Sequence, residues 1–582
     1  MFNIASNYFR IQLKFDMKKQ TITGLAFIVA AGAVLSSCDL LKDLQYDVSP
    51  KTLEMHGDSV RVKVDISFPI KGIKKKASVE VTPMLGNIAL KSIVIQGEKA
   101  TGNGSVIQYK PGGSISYSDV VAYVPEMEDV NLVVTGNVSK GGKVKAAVPE
   151  TKIAEGTIIT PLLVNKDFKV IMEKDNFKRV TEKGYSVQLN FDKGKSVVKS
   201  SELKDKDMLD FKVWLEASNS NPKIELKGYT IVGYASPEGE EDKNNSLSTE
   251  RAESAKESVL NLAKATNNEK SLTEIYNLLG KGEDYDGFKK ELEKSEMDND
   301  EKQLIIRVLE MHKDPTTREA EMRNMGKTFT YLDKNIFTKL RRTEIAVSYD
   351  KTGYTDEELK SLSVSNPDTL TLEELLFTAT LSTDLNEKLR IYEVAEKNFA
   401  TDHRAINNAG AVLYMQNKLD EAQAKFKKSN EVSETSVASN NLGAIAGMKG
   451  DREGAKELLE GSKDAGSEVS YNLGILNVLD GVYNEAVANF GSYDTFNKAL
   501  AQLLSATQAG ADVATLNASD DSDSAQGFYL RAIISTRQGD VNSTVENLKK
   551  SFAKDGSFKE KAAKDKEFLR FKDNATFTSV LK

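Results

Sequence analysis

The sequence predicts a multidomain α+β chain: an N-terminal β-sandwich, a mixed α/β module with a helical insertion, and a C-terminal α-helical solenoid. Three observations carry this. Short runs such as "SVRVKVDISFPI", "KASVEVTPML" and "DVNLVVTGNVS" alternate apolar and polar residues and are split by glycine and proline, the mark of half-buried strands. Further on, a strand-like "KIELKGYTIVGY" runs through a glycine-bearing loop into a helix, and a late alternating "LRRTEIAVSY" closes that region. Towards the end, three blocks of twenty residues align without gaps.

At 582 residues the chain exceeds one hydrophobic core. With 40% apolar and 28% charged residues it is not disordered throughout, and a net charge of −7 without a basic stripe argues against a nucleic-acid partner. The first element is an address. "MKKQTITGLAFIVAAGAVLSSC", from Met17, has a basic start, an apolar run too short to span a bilayer comfortably, and small residues at its end. The segment before Met17 reads as an upstream start. "LSSC" resembles the lipobox of bacterial lipoproteins. That resemblance implies that Cys38, the only cysteine, is lipidated as the first mature residue and anchors the chain to a membrane. No cysteine is then left for a disulfide. The expected division is 1–38 leader and signal peptide, 39–58 tether, 59–165 β-sandwich, 180–350 α/β module with its insertion at about 265–335, and 365–582 helical repeats. The sandwich, whose one histidine is His56, reads as a spacer or docking module.

The α/β module opens with "YSVQLNFDKGKSVV" and a helix on which Met208, Phe211, Trp214 and Leu215 share a face, as core residues do. After "KIELKGYTIVGY" comes the loop and helix "GYASPEGEEDKNNSLSTERA", where Asn244, Leu247, Ser248, Arg251, Ala255 and Val259 form one stripe. The pattern N-x-x-L-S-x-x-R-A, preceded by "FDKGKSVV" and followed by R-R-x-E-I, resembles the OmpA C-terminal family, an α/β module that binds peptidoglycan. The resemblance implies a partner, the diaminopimelate-type stem peptide. In that family a loop aspartate takes the ammonium and the helix arginine takes the carboxylate. Arg251 and Asn244 match the family's arginine and asparagine. The aspartate position, fifteen residues before Arg251, is Ser236, and Glu238 stands two residues on, after Pro237. The alternative is that Arg251 pairs within the loop, with Glu238 or Glu240, and the module is a scaffold only.

In the helical region, blocks 407–426, 440–459 and 471–490 place Gly410, Gly443 and Gly474 at intervals of 33 and 31, with Ala422, Ala455 and Ala486 in step. This resembles tetratricopeptide repeats; residues 528–552 look like another and 370–399 like a degenerate one. Stacked helical pairs create an extended face for a polypeptide, here an unidentified envelope protein. The three histidines, His56, His312 and His403, lie in separate regions, and no H-E-x-x-H, P-loop or G-x-S-x-G motif occurs. The chain therefore reads as a non-enzyme with no cofactor beyond lipid on Cys38. The function these readings imply is an outer-membrane lipoprotein of a Gram-negative bacterium, facing the periplasm, that tethers the wall and adapts a protein partner. The alternative is a lipoprotein scaffold for envelope assembly or secretion machinery that does not bind the wall.

Overall fold

The computed structural model describes residues 40–42, 44–272, 275–505 and 511–582; the leader and Cys38 lie outside the described residues. The chain divides into two compact units, Met1–Ile171 with Glu434–Lys582, and Met172–Ser433.

The first unit begins with ten strands: β1 (Gln45–Val48), β2 (Thr52–His56), β3 (Ser59–Phe68), β4 (Ala77–Leu85), β5 (Ile88–Ala89), β6 (Ile93–Gly97), β7 (Ser105–Ile107), β8 (Gly113–Ala122), β9 (Asn131–Lys140) and β10 (Lys143–Ile158). Alternation in β3 buries Val60, Val62, Val64 and Ile66 on one face, as the pattern predicts. Two findings differ from the sequence reading. All ten strands belong to one hydrogen-bonded sheet, where a sandwich of two sheets is predicted. The short strand β2 joins the halves, pairing antiparallel with β3 and parallel with β10. The sheet curls as a half-barrel about one core shared by Val62 and Val64 with Val79, Val81, Leu132 and Val134. Alternation says which face is buried; it does not say which strands pair. Nor is 39–58 only a tether. Its β1 and β2 bury Val48 and Leu53 in that core.

The second unit carries a four-stranded sheet in the order β11-β14-β12-β13. Its strands are β11 (Val180–Asn190), β12 (Ile224–Ala235), β13 (Tyr276–Glu283) and β14 (Arg342–Thr352). Helices α1 (Lys206–Ser220) and α2 (Glu241–Ala265) cover it. Met208, Phe211 and Leu215 of α1 and Ala252, Ala255 and Val259 of α2 meet Tyr229, Ile231 and Val347 in one core. The insertion is not wholly helical, because β13 lies inside 265–335 and pairs parallel with β12. Its sequence, "YNLLGKGE", is too short and mixed to signal a strand. Helices α3 (Tyr285–Lys294), α4 (Asn299–Met311), α5 (Pro315–Asn324), α6 (Lys327–Asn335) and α7 (Phe337–Leu340) follow, with their own core around Phe288, Ile305 and Phe337. After β14 come α8 (Asp356–Ser365), α9 (Leu372–Thr380), α10 (Leu385–Asn398), α11 (His403–Met415) and α12 (Leu419–Val432).

The first unit resumes with α13 (Ser436–Lys449), α14 (Arg452–Glu460), α15 (Ser467–Leu479), α16 (Tyr483–Phe490), α17 (Phe496–Ser505), α18 (Ala511–Ala518), α19 (Ala525–Gln538) and α20 (Val541–Lys554), then two shorter helices. Each aligned block is a helix–turn–helix pair, the layout predicted for tetratricopeptide-like repeats. The recurrent glycine allows close approach within the pair: a Cβ on Gly474 would lie 2.7 Å from the Phe490 ring, and one on Gly443 2.9 Å from Leu459.

Candidate functional site

The loop between β12 and α2 brings the four predicted residues together. Helix α2 lies so close to β12 that a Cβ at Gly233 would run into the Ser248 carbonyl. Ser236, Glu238, Asn244 and Arg251 are all buried and line one groove of about 400 Å³. Asn244 holds the loop shut, its Nδ2 donating to the carbonyls of Ser236 and Gly239, each at 3.2 Å, and to Glu283 Oε1 at 2.8 Å.

Among the described residues Arg251 pairs with no carboxylate. It is 1% exposed and donates to three carbonyls: Nε to Lys195 at 3.0 Å, Nη1 to Tyr234 at 2.7 Å and Nη2 to Asp192 at 3.3 Å. Its guanidinium also lies 5.3 Å from the Phe191 ring centroid, so the "FDKGK" segment wraps around it. Burial pushes its pKa down to about 10, and the group stays a cation at neutral pH. Glu238 is partnered by Arg341, the residue before β14. Its Oε1 accepts from Arg341 Nε at 2.9 Å and Nη2 at 2.7 Å, while Ser236 Oγ accepts from the same Nε at 3.3 Å. Arg341 also pairs with Asp333 at 2.5 Å. Glu238 Oε2 is buried and has no hydrogen-bond partner among the described residues. A buried carboxylate oxygen left open has the charge and the free lone pairs to accept an ammonium. A larger cleft, about 770 Å³, lies beside β13 and β14, but its Glu283, Asp284, Glu291 and Glu344 already hold partners within the chain.

A second constellation lies in residues that no motif above singles out. Residues 164–178, between the two sheets in sequence, form neither helix nor strand. In the first unit, residues 163–171 lie against the first helices of the repeats and are held through their main chain. Asn497 accepts from the Asn165 N–H at 2.7 Å and donates to its carbonyl at 2.8 Å. Asn472 does the same for Lys169 at 2.6 and 2.8 Å, and Asn441 for Ile171 at 2.7 and 2.8 Å. All three asparagines are buried. Phe168, 2% exposed, seats over Gly447, where a Cβ would lie 2.5 Å from its ring. Asp167 accepts from Tyr471 Oη at 2.7 Å and Asn497 Nδ2 at 2.9 Å. The device recurs within the second unit, where Asn408 brackets the main chain of Glu173 at 2.7 and 2.9 Å and Phe177 stacks on Phe377. The signal was in the aligned blocks, since Asn408, Asn441 and Asn472 each stand two residues before the recurrent glycine. A buried asparagine repeated on apolar helices calls for a recurrent polar partner.

Among the described residues no group of three or more histidine, cysteine, aspartate or glutamate side chains could hold a metal ion, and no helix is long and apolar enough to cross a membrane. No protein-family model and no curated protein matches the sequence. Solved structures match part of it. A tetratricopeptide repeat protein from Parabacteroides merdae is 15% identical over 37% of this chain and 91% of that one, with a TM-score of 0.28. YrrB, a TPR protein with an unusual peptide-binding site, is 17% identical over 35% of this chain and 94% of its own, TM-score 0.21. PilW, a widely conserved type IV pilus biogenesis factor, is 15% identical over 39% and 89%, TM-score 0.22.

Proposed function

We propose that this chain is an envelope adaptor: lipid on Cys38 holds it to the outer membrane at the periplasmic face, the loop groove grips the wall stem peptide, and the helical repeats serve a protein partner. The observation that carries the wall-binding part is the open Glu238 Oε2 in the groove. The zwitterionic end of diaminopimelate offers an ammonium for that oxygen. Its carboxylate would take guanidinium N–H groups of Arg251 beyond the three already given to carbonyls, out of five available. Glu238 thus supplies from two residues along the charge that Ser236 lacks. A charge-assisted contact of this kind contributes about 1.5–3 kcal/mol.

One observation favours the second reading, a scaffold that does not bind the wall: Arg251 is almost wholly enclosed and already serves three carbonyls. Co-sedimentation of residues 39–582 with purified sacculi decides between them. The adaptor reading expects the protein in the pellet and its release by free diaminopimelate; protein left in the supernatant selects the scaffold. Arg251→Ala is a poor probe, because it orphans three carbonyls and weakens the fold. Glu238→Gln keeps an oxygen for Arg341 and removes only the charge.

A further inference from the structure

Residues 163–171 behave as a ligand does. From residue 164 on they have no helix or strand of their own, and the helices of the first unit satisfy their main chain through side chains. Asparagine brackets an N–H and a carbonyl of one residue at a time, so it reads the backbone and tolerates many sequences. Side-chain selection comes from Phe168, seated over Gly447, from Leu163 and Val164, buried in the same apolar cluster, and from Asp167, held by Tyr471 and Asn497. Lys169 Nζ lies over the Tyr471 ring at 4.3 Å.

We infer that the face formed by α13, α15 and α17 is a binding site for an extended polypeptide bearing an acidic residue followed by an aromatic one, and that residues 163–171 occupy it in cis. The occupant in trans is a strand of a partner protein with this chemistry, which enters when the cis segment leaves. Covalent attachment at both ends gives the cis segment an effective concentration on the order of millimolar. A free strand at micromolar concentration therefore competes poorly, and the site is closed until the cis segment is weakened. This rests on the repeats being the protein-binding half of the proposed adaptor. It is independent of wall binding, which uses the loop groove, so the failure of one leaves the other standing.

The test uses a fluorescent peptide of sequence LVNKDFKVI, residues 163–171, titrated by anisotropy into residues 39–582. The parent should not bind at micromolar peptide. The double variant Asp167→Ser/Phe168→Ser, with its helical circular dichroism intact, should bind at least tenfold more tightly than the parent. Adding Asn472→Ala to it should weaken binding at least tenfold, and a peptide with its phenylalanine replaced by serine should bind no better than to the parent. Where the double variant loses its fold, Phe168→Leu, which keeps an apolar group in the seat, replaces it in the same comparison. A folded variant that ignores the peptide overturns the inference by making the segment a fixed part of the core. A parent that binds as tightly as the variant overturns it by showing that the cis segment does not close the site.

Discussion

Phe168→Ala tests whether residues 163–171 belong to the core of the repeats or are a linker lying on them. The ring is 2% exposed and belongs to the same apolar cluster as Val469, Leu476 and Phe490. Removing a core phenylalanine costs about 3–5 kcal/mol, whereas a linker side chain on the surface would cost within about 0.5 kcal/mol. Gly447 supplies a second arm. A Cβ there would meet the Phe168 ring at 2.5 Å. In the parent, Gly447→Ala therefore sets an overpacking cost of about 1–3 kcal/mol against a helix-propensity gain of about 1 kcal/mol. With Phe168→Ala in place the clash is gone and only the gain remains, so the sign of the Gly447→Ala effect should move from destabilising or neutral to stabilising. The double-mutant cycle then gives a coupling of about 1–3 kcal/mol. The only tryptophan, Trp214, lies in the other unit, so the readout is urea-dependent hydrogen exchange over α13 to α17 rather than fluorescence. A Phe168→Ala effect below about 0.5 kcal/mol, or a Gly447→Ala effect indifferent to residue 168, refutes the packing argument.

Gly474→Ala should destabilise its helix pair by up to about 2 kcal/mol, the overpacking cost less the propensity gain, and in a Phe490→Ala background, where the ring the Cβ would meet is gone, the same change should no longer destabilise; thermal unfolding of the single and double variants checks this. Burial raises the Glu396 carboxyl, but Lys425 and Lys428, at 2.6 and 2.7 Å, outweigh it and hold the group below its usual 4.5. A depressed carboxyl stabilises the fold above about pH 4.5 and loses that contribution as pH falls through its lower folded-state value. Glu396→Gln should accordingly lower stability at pH 7 and flatten the acid limb of the stability curve. Cys38→Ala should abolish metabolic labelling with a fatty acid; label on the variant would remove the anchor from the account.

Where one element carries its own periodic signal, the sequence was legible. The glycine and alanine intervals marked the helix pairs, and Asn244 and Arg251, both on the three–four stripe of α2, line one groove with Ser236 and Glu238. What it missed depends on pairing between distant segments. Arg341, the partner of Glu238, lies 103 residues downstream, and nothing local joins the two. Strand β2 looked like tether because its five residues gain their meaning only between β3 and β10. Residues 163–171 carry no secondary-structure period because their hydrogen bonds run to side chains of another segment. Only the asparagine repeated before each glycine hinted at them.

The central claim is that Glu238 makes the loop groove a receptor for the zwitterionic end of the wall peptide. Calorimetric titration of a stem tripeptide ending in diaminopimelate into residues 39–582, parent and Glu238→Gln, tests it most directly. The account predicts saturable binding by the parent. It predicts a loss of roughly tenfold to hundredfold in the variant, the equivalent of about 1.5–3 kcal/mol. A lysine-type tripeptide, which lacks the side-chain carboxylate, should bind the parent more weakly. No heat with the parent, or equal affinity for the parent and Glu238→Gln, contradicts the claim and leaves the chain as a scaffold.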